Sequence, residues 1–481
     1  MSDVRKHADG ALFLAIALFA MARSVFLVYP DLNLAYPFLA PDSYDWIANG
    51  LAYEGYPVAF SMRAPGLPLM IAALDAAGLL AFLPVVTQAA LVGLIILNHV
   101  LLARRFGGRA ALIVTLILFV NFFLQNLALH VLADIYAALF ILAGYACYFR
   151  AENHERRYIA ASWFLSLSVL FQYAAVAVVP ALVIHWALAR RRIRAAALLR
   201  TLAPPLALIG AWAFYRATQA HSGIRHIGLL APHAGSVFFY LLNTASVLGL
   251  PAFCLLLAGM AMACFQRERE MRDFLLLNAL LAASWCGFWV FLYTWNDRRF
   301  ILYLLFFLLP FIALAFRDSH SFLSRGGIPG IAVFAALAAA AIAGSYLPYE
   351  SCFTLDTLKL TRSRAIRFKS ARDPRTGNTT LAAPSPRLVR DRGGFSPLDL
   401  GRLAAMRRGV NLHEVARLEG MKAGIDRKPV GLLCVRYESP DPFAWYIEKN
   451  RYGNYFRRRL ARQPDCAAPD LEIVNGTIAL P

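Results

Sequence analysis

Apolar segments of about 17 to 22 residues recur through the first 347 residues of this chain, separated by short polar loops. A helix rises 1.5 Å per residue, so about 20 residues cross the roughly 30 Å hydrocarbon core of a bilayer. Hydrophobic residues make up 59% of the sequence and charged residues only 16%, which is too apolar for a soluble globular protein. We therefore predict an all-α polytopic membrane protein.

The apolar segments predict eleven transmembrane helices, at 11–29, 85–103, 110–128, 134–149, 158–172, 174–189, 201–218, 245–265, 274–294, 300–316 and 329–347. The first should stay as an uncleaved anchor, because no small-x-small cleavage pattern lies near its end. A further apolar run, 66–84, is long enough to span, but Asp75 lies at its middle. We expect 66–84 to form a helix that lies along the outer membrane face or dips into it.

The charges of the short loops predict the orientation, since cytoplasmic loops carry an excess of Lys and Arg. Loops on the side of the N-terminus hold 18 of these residues, and loops on the other side hold four. The N-terminus is therefore expected to be cytoplasmic. The acidic loop 30–84, which follows the first span, is then external, and an odd number of spans places the C-terminal tail outside too.

Residues 348–481 have a different composition from the preceding membrane domain, residues 1–347. This tail contains 24 Lys or Arg against 14 Asp or Glu, and it has no apolar run long enough to span. We expect a small basic external domain of α+β type. The run KPVGLLCVRYES predicts a buried strand, while LAAMRRG and FAWYIEKNRYGNYFRRRLARQ predict short helices.

Motifs for nucleotide or zinc chemistry are missing from the sequence, which has no GxGxxG, GxxxxGK[ST], HExxH or CxxC. The ionisable residues concentrate instead in the first external loop, where 30–65 holds four acids and one base: Asp31, Asp42, Asp45, Glu54 and Arg63. Carboxylates held at a membrane mark a candidate functional site.

The same stretch resembles a known family. The shared pattern consists of Asp42, Ser43, Trp46, Ala48, Leu51 and Gly55, followed by Arg63-Ala64-Pro65-Gly66-Leu67-Pro68. It resembles the first external loop of GT-C membrane glycosyltransferases, in particular bacterial members similar to protein O-mannosyltransferases and lipid A aminoarabinose transferases. The resemblance covers about residues 10 to 347. It implies a GT-C fold, a polyprenyl-phosphate-linked sugar donor and transfer by direct displacement with inversion.

The resemblance places the catalytic base at Asp42, where a carboxylate would remove the proton of the acceptor. The same residue is also suited to cap the helix that begins near Tyr44. Asp45 and Asp134 are supporting acids, although either could simply be an acid favoured in the first turn of a helix. His130 lies four residues before Asp134, so on a helix the two could share a divalent metal or contact each other.

The cations of the predicted site are Arg298 and Arg299, which resemble the family's arginine before a helix containing Tyr and Pro. A guanidinium can grip a phosphate with several fixed donors, and Arg63 is a further candidate for the donor phosphate. Arginines outside the membrane also contact lipid headgroups. Tyr44 and Trp46 could stack on a sugar, or they could belong to an interfacial aromatic belt.

These features predict a glycosyltransferase of the bacterial inner membrane with its active site on the external face. Its partners would be a polyprenyl-phosphate sugar, an acceptor that is a glycan, lipid or protein, and the bilayer, with no nucleic acid and no required cofactor. Two alternatives remain: a transporter or flippase of lipid-linked saccharides, which would place its ionisable residues near the bilayer midplane, and a noncatalytic envelope assembly protein.

Overall fold

The structure is a computed structural model. It describes residues 43–55, 63–149, 155–188, 195–218, 237–292, 298–323 and 327–346, together with five short strands in the tail. The first predicted span, 11–29, and the predicted base Asp42 lie outside the described residues, and so do the side chains of Tyr44 and Arg298.

The described part of the chain before the tail is helical. Its fourteen α-helices are α1 (Ser43–Tyr53), α2 (Gly66–Ala76), α3 (Leu83–Phe106), α4 (Gly108–Val120), α5 (Phe122–Leu129), α6 (Asp134–Phe149), α7 (Glu155–Phe171), α8 (Val178–Leu188), α9 (Ala195–Thr218), α10 (Val237–Leu248), α11 (Leu250–Cys264), α12 (Arg269–Gly287), α13 (Ile301–Leu323) and α14 (Gly327–Tyr346). Short 3₁₀ turns occupy Leu80–Phe82, Tyr173–Ala177 and Arg298–Phe300, and a π turn occupies Phe288–Leu292.

Five of these helices are long and apolar enough to cross a membrane on their own: α3, α9, α12, α13 and α14. The pair α10 and α11 adds a sixth if the two helices, bent by 118° at Gly249, count as one span. Shorter apolar helices, among them α4 and α6, lie between them. The prediction of a helical integral membrane protein is confirmed, while the count of eleven spans stays a prediction.

The centre of the helical part is α13, which packs against α3, α4, α6, α11, α12 and α14. Its sequence ILYLLFFLLPFIALAF is apolar on every side, so each of its faces can pack against other apolar helices. Accordingly, 89% of its apolar stretch is buried, against 22% for α9 and 17% for α14. The outer helices α9 and α14 therefore leave broad apolar faces that suit contact with lipid.

Two predicted spans are broken in the structure. The run 110–128 is interrupted at Asn121, whose Nδ2 donates to the Val247 carbonyl oxygen at 2.8 Å and to the Ser345 hydroxyl at 2.8 Å. Asn121 Oδ1 also accepts from the backbone N–H of Leu124 at 3.1 Å, which caps α5. The run 245–265 is interrupted at Gly249, where φ is 76°. A polar side chain thus satisfies backbone groups that the two breaks expose inside the bundle.

The run 66–84 does not form one helix. Within it, α2 ends at Ala76, Gly78 takes a φ of 71°, and a 3₁₀ turn leads into α3 at Leu83. The 11 residues of α2 are about 16 Å long, too short to cross the bilayer. The helix predicted over 66–84 is therefore shorter than expected, and its position at the outer membrane face stays a prediction.

The tail is described only at five strands. Strand β1 (Ala371–Arg372) pairs antiparallel with β2 (Thr379–Thr380), and β3 (Val435–Tyr437) pairs parallel with β4 (Leu471–Val474), which pairs antiparallel with β5 (Thr477–Ala479). Strand β3 lies inside the predicted strand KPVGLLCVRYES. The two predicted tail helices lie outside the described residues, and the α+β domain stays a prediction.

Candidate active site

The start of α1 is fixed to the loop that leads into α6. Ser43 is buried, and its hydroxyl donates to the Val131 carbonyl oxygen at 2.9 Å, across 88 residues of sequence. Ser43 directly follows the predicted base, and Val131 precedes Asp134 by three residues. Two acidic parts of the predicted site, distant in sequence, are therefore joined through a buried hydrogen bond.

Asp134 is the first residue of α6 and is only 1% exposed. The hydroxyl of Tyr303, in the first turn of α13, donates to Asp134 Oδ1 at 3.3 Å. Burial of a carboxylate costs free energy unless the group is hydrogen-bonded, so this bond stabilises the buried Asp134. The bond joins residues that are 169 positions apart in sequence. The pair therefore holds the start of α6 against the start of α13, at the place where the arginines were predicted.

The candidate metal ligand His130 is also buried, at the end of α5. Among the described residues, no group of three or more His, Cys, Asp or Glu side chains is arranged to hold a metal ion. His130 and Asp134 together would supply only two protein ligands, and bound divalent ions usually need more.

Asp45, in α1, and Arg63, in the loop before α2, form an ion pair. Arg63 Nε donates to Asp45 Oδ2 at 3.2 Å, and Arg63 Nη2 lies 3.2 Å from the same oxygen. The guanidinium carbon of Arg63 lies 5.5 Å from the centre of the Trp46 ring. The guanidinium of Arg63 is thus already paired with a carboxylate in this structure. Trp46 is 1% exposed, so a sugar could reach its ring only after the surrounding side chains move.

The loop that carries Arg63 is held against α7 by a close backbone contact. A Cβ atom placed on Gly66 would lie 2.8 Å from the Leu170 carbonyl oxygen, closer than real Cβ atoms come to other heavy atoms. Glycine is therefore required at this position of the Arg63-Ala64-Pro65-Gly66 run for the loop to pack as it does.

The start of α13 packs against aromatic rings that were not predicted as part of the site. We call this set, Trp285, Trp289, Phe300 and Tyr303, the aromatic platform. Trp289 stacks on Phe300 with ring centres 3.4 Å apart, and Trp285 lies against Tyr303 with ring centres 4.1 Å apart. The Trp285 indole N–H donates to the Phe300 carbonyl oxygen at 2.9 Å. The sequence signal was present, because Trp285 and Trp289 are four residues apart and so share one helix face.

Arg299 lies on this aromatic platform, with its guanidinium carbon 5.7 Å from the centre of the Phe300 ring. It is partly buried and precedes Tyr303 by four residues, close to one helical turn. A guanidinium seated on rigid rings loses little further freedom when it binds an anion. The π turn at Phe288–Leu292, of a kind often found at functional sites, leads into this region.

Comparison with known proteins gives the fold. No recognised protein family matches the sequence, and no curated protein matches it either. Among solved structures, ArnT from Cupriavidus metallidurans bound to undecaprenyl phosphate superposes with a TM-score of 0.53 at 16% identity, covering 94% of this chain and 88% of that one. The chain has a GT-C fold. The apo form of the same ArnT gives a TM-score of 0.52 at 15% identity over 95% of this chain and 89% of ArnT.

A shorter match is to the Archaeoglobus fulgidus oligosaccharyltransferase tethered to an acceptor peptide. Its TM-score is 0.49 at 14% identity, over 70% of this chain. The present chain spans 54% of the length of that protein. The GT-C fold implied by the residues around Asp42 is confirmed by the ArnT superposition, which extends the likeness to nearly the whole chain.

Proposed function

We propose that this protein is a membrane glycosyltransferase that moves a sugar from a polyprenyl-phosphate donor to an envelope acceptor. The observation that carries this proposal is the GT-C fold shared with ArnT over 94% of the chain, since that ArnT was solved with undecaprenyl phosphate bound. The arrangement of Asp134, Tyr303 and Arg299 at one end of the bundle supports it. This end offers both a carboxylate and a cation, which sugar transfer from a phosphate requires.

In the proposed reaction, the acceptor oxygen or nitrogen forms a bond to the anomeric carbon of the sugar. The bond between that carbon and the phosphate oxygen breaks at the same time, and polyprenyl phosphate leaves with the electron pair. Asp42 takes the acceptor proton. Because the attack and the departure occur on opposite sides of the anomeric carbon, the configuration inverts and no covalent enzyme intermediate forms.

Arg298 and Arg299 are proposed to hold the phosphate of the donor, where negative charge develops as the sugar leaves. The aromatic platform under Arg299 supports this role, because it fixes the guanidinium before the donor arrives. Arg63 would serve the same phosphate only by sharing its donors with Asp45, which it contacts at 3.2 Å. We therefore propose Arg63 as a secondary ligand of the donor phosphate.

Asp134 is proposed to position the site rather than to take the proton. Its Oδ1 accepts from Tyr303, and its helix begins just after the loop that binds Ser43. A change at Asp134 would therefore disturb both the α1 side and the α13 side of the site. Asp45, paired with Arg63, is proposed to orient that arginine.

The remaining parts of the proposal concern location and partners. The site would face outward from the bacterial inner membrane, with the N-terminus in the cytoplasm and the basic tail 348–481 outside. The charge difference between the two sets of loops supports this orientation. The acceptor would be a glycan, a lipid or a protein of the envelope, and no metal ion would be required.

Mass spectrometry of envelope glycans, proteins and lipid A, with and without the gene for this protein, tests the proposed function. We expect one sugar residue to disappear from one acceptor in the deletion strain, and to return with the parent protein but not with Asp42→Asn. An unchanged envelope would contradict the proposal. A sugar restored equally by Asp42→Asn would point to a transporter or an assembly protein instead.

A further inference from the structure

A cavity of about 280 Å³ lies between α3, α6 and α12. Two arginines from the last turn of α3, Arg104 and Arg105, form part of its wall. Tyr145 and Phe149 from α6 and Phe274 from α12 supply aromatic walls. A cavity with guanidinium groups at one side and apolar walls at the other suits a ligand that is anionic at one end and apolar at the other.

The cavity is remote from the candidate active site. Helix α6 starts at Asp134, in that site, and ends at Phe149, in the cavity wall. Its 16 residues make it about 24 Å long, close to the thickness of the hydrocarbon core. The cavity therefore lies near the opposite face of the membrane from the candidate active site.

Arg105 is held in a fixed position by three neighbours. Its Nη1 donates to Glu270 Oε2 at 2.7 Å, and its guanidinium carbon lies 5.0 Å from the Phe149 ring centre and 6.0 Å from that of Phe274. Stacking on two rings keeps the planar guanidinium oriented. The adjacent Arg104 is exposed and lines the same cavity, so two cations meet there.

This end of the bundle is basic beyond the cavity wall. Arg109 contacts His320 at 2.8 Å, and Arg317 lies 5.9 Å from the Phe106 ring centre. Arginines at the C-terminal end of a helix also interact favourably with its dipole, which accounts for the presence of Arg104 and Arg105. The helix dipole does not account for a cavity beside these two arginines. Basic pockets between transmembrane helices are known to take anionic headgroups.

We propose that this cavity binds the negatively charged headgroup of a phospholipid. Its volume of about 280 Å³ accommodates a phosphate and a small polar group, but not two acyl chains, which would extend into the surrounding bilayer. The phosphate would lie against Arg104 and against the donors of Arg105 that Glu270 does not occupy, and the glycerol carbons would lie along Tyr145 and Phe274. A lipid bound in this way would join α3, α6 and α12 at the membrane surface.

The test is lipid binding by the purified full-length protein, measured by native mass spectrometry in detergent. Phosphatidylglycerol and phosphatidylcholine with identical acyl chains are titrated separately, and the tightest binding event is compared. We expect phosphatidylglycerol to bind more tightly. The double variant Arg104→Ala and Arg105→Ala should weaken that binding by on the order of tenfold or more, since each arginine can donate to a charged oxygen.

Two further variants make the test independent of folding defects. Ala146→Phe fills the cavity without changing any charge and should also weaken phosphatidylglycerol binding, because Ala146 lines the cavity. Arg109→Ala removes a nearby arginine that contacts His320, and it should bind as the parent does. Equal binding of both lipids, or parent-like binding by the double variant or by Ala146→Phe, would each overturn the proposal.

Discussion

Replacing Asp42 by asparagine should lower the rate of sugar transfer by about 10²- to 10⁴-fold, the usual contribution of a general base. Asparagine has nearly the same shape as aspartate and still caps a helix, so the start of α1 and membrane insertion should be preserved. The substitution therefore separates loss of a proton acceptor from loss of a helix cap. Turnover is measured in proteoliposomes that contain equal amounts of correctly inserted parent and variant.

Asp75→Asn is the matched control for Asp42→Asn. Asp75 is a carboxylate of the same loop region, 30–84, but it lies in α2, which the proposed chemistry does not use. This variant should transfer sugar at close to the parent rate. Asp45→Asn and Asp134→Asn should lose less activity than Asp42→Asn. Parent-like turnover by Asp42→Asn would refute the assignment, and equal losses at Asp42 and Asp134 would point to a shared site or a bound metal.

Replacing Arg298 or Arg299 by alanine should raise the apparent dissociation constant of the donor by about 10- to 150-fold. This range corresponds to about 1.5 to 3 kcal/mol, the typical contribution of a hydrogen bond to a charged group. Lysine at either position should restore the charge but recover only part of the affinity, because it lacks the planar fork of arginine. Donor binding is measured with the purified protein and a polyprenyl-phosphate sugar.

Arg317→Ala is the control on the same helix. Arg317 lies near the other end of α13, where its Nε donates to Asp318 Oδ1 at 2.7 Å. Its loss should leave donor affinity unchanged. If the single variants Arg298→Ala and Arg299→Ala and the double variant all bind the donor as the parent does, these arginines do not hold the phosphate.

The helical membrane fold could be predicted from the sequence because the constraint is local. Burying backbone polar groups in lipid requires helices, and spanning length can be read directly from apolar runs. The predicted span 134–149 matches α6 in both of its boundaries. The break between 158–172 and 174–189 was also placed correctly, since α7 ends at Phe171 and a 3₁₀ turn follows from Tyr173.

The broken helices were not predicted, because their cause lies far away in sequence. Asn121 is one of several polar residues in the run 110–128, and only its hydrogen bonds to Val247 and Ser345 explain why the helix stops there. The second break is at Gly249, which packs so closely against Gly344 that a Cβ atom on Gly249 would clash with the Gly344 backbone. Hydropathy cannot show either contact.

Several residues of the candidate site were predicted from the sequence, but the hydrogen bonds and ion pairs that join them were not. Asp45, Asp134, Arg63 and Arg299 were named from loop positions, charge and the family resemblance. The pairing of Asp45 with Arg63, and of Asp134 with Tyr303, depends on packing between separate helices. The aromatic platform was not predicted, because aromatic residues near a membrane surface usually form an interfacial belt. The sequence alone does not distinguish a belt residue from one that supports a binding site.

The most direct test of the proposed activity is release of polyprenyl phosphate from its sugar-linked form by the purified protein in proteoliposomes. This readout does not require the sugar or the acceptor to be known in advance, provided an envelope extract supplies both. We predict that the parent protein converts the donor to free polyprenyl phosphate with simultaneous appearance of glycosylated acceptor, and that Asp42→Asn does so at a rate lower by about 10²-fold or more. Conversion no faster than in protein-free liposomes would contradict the account.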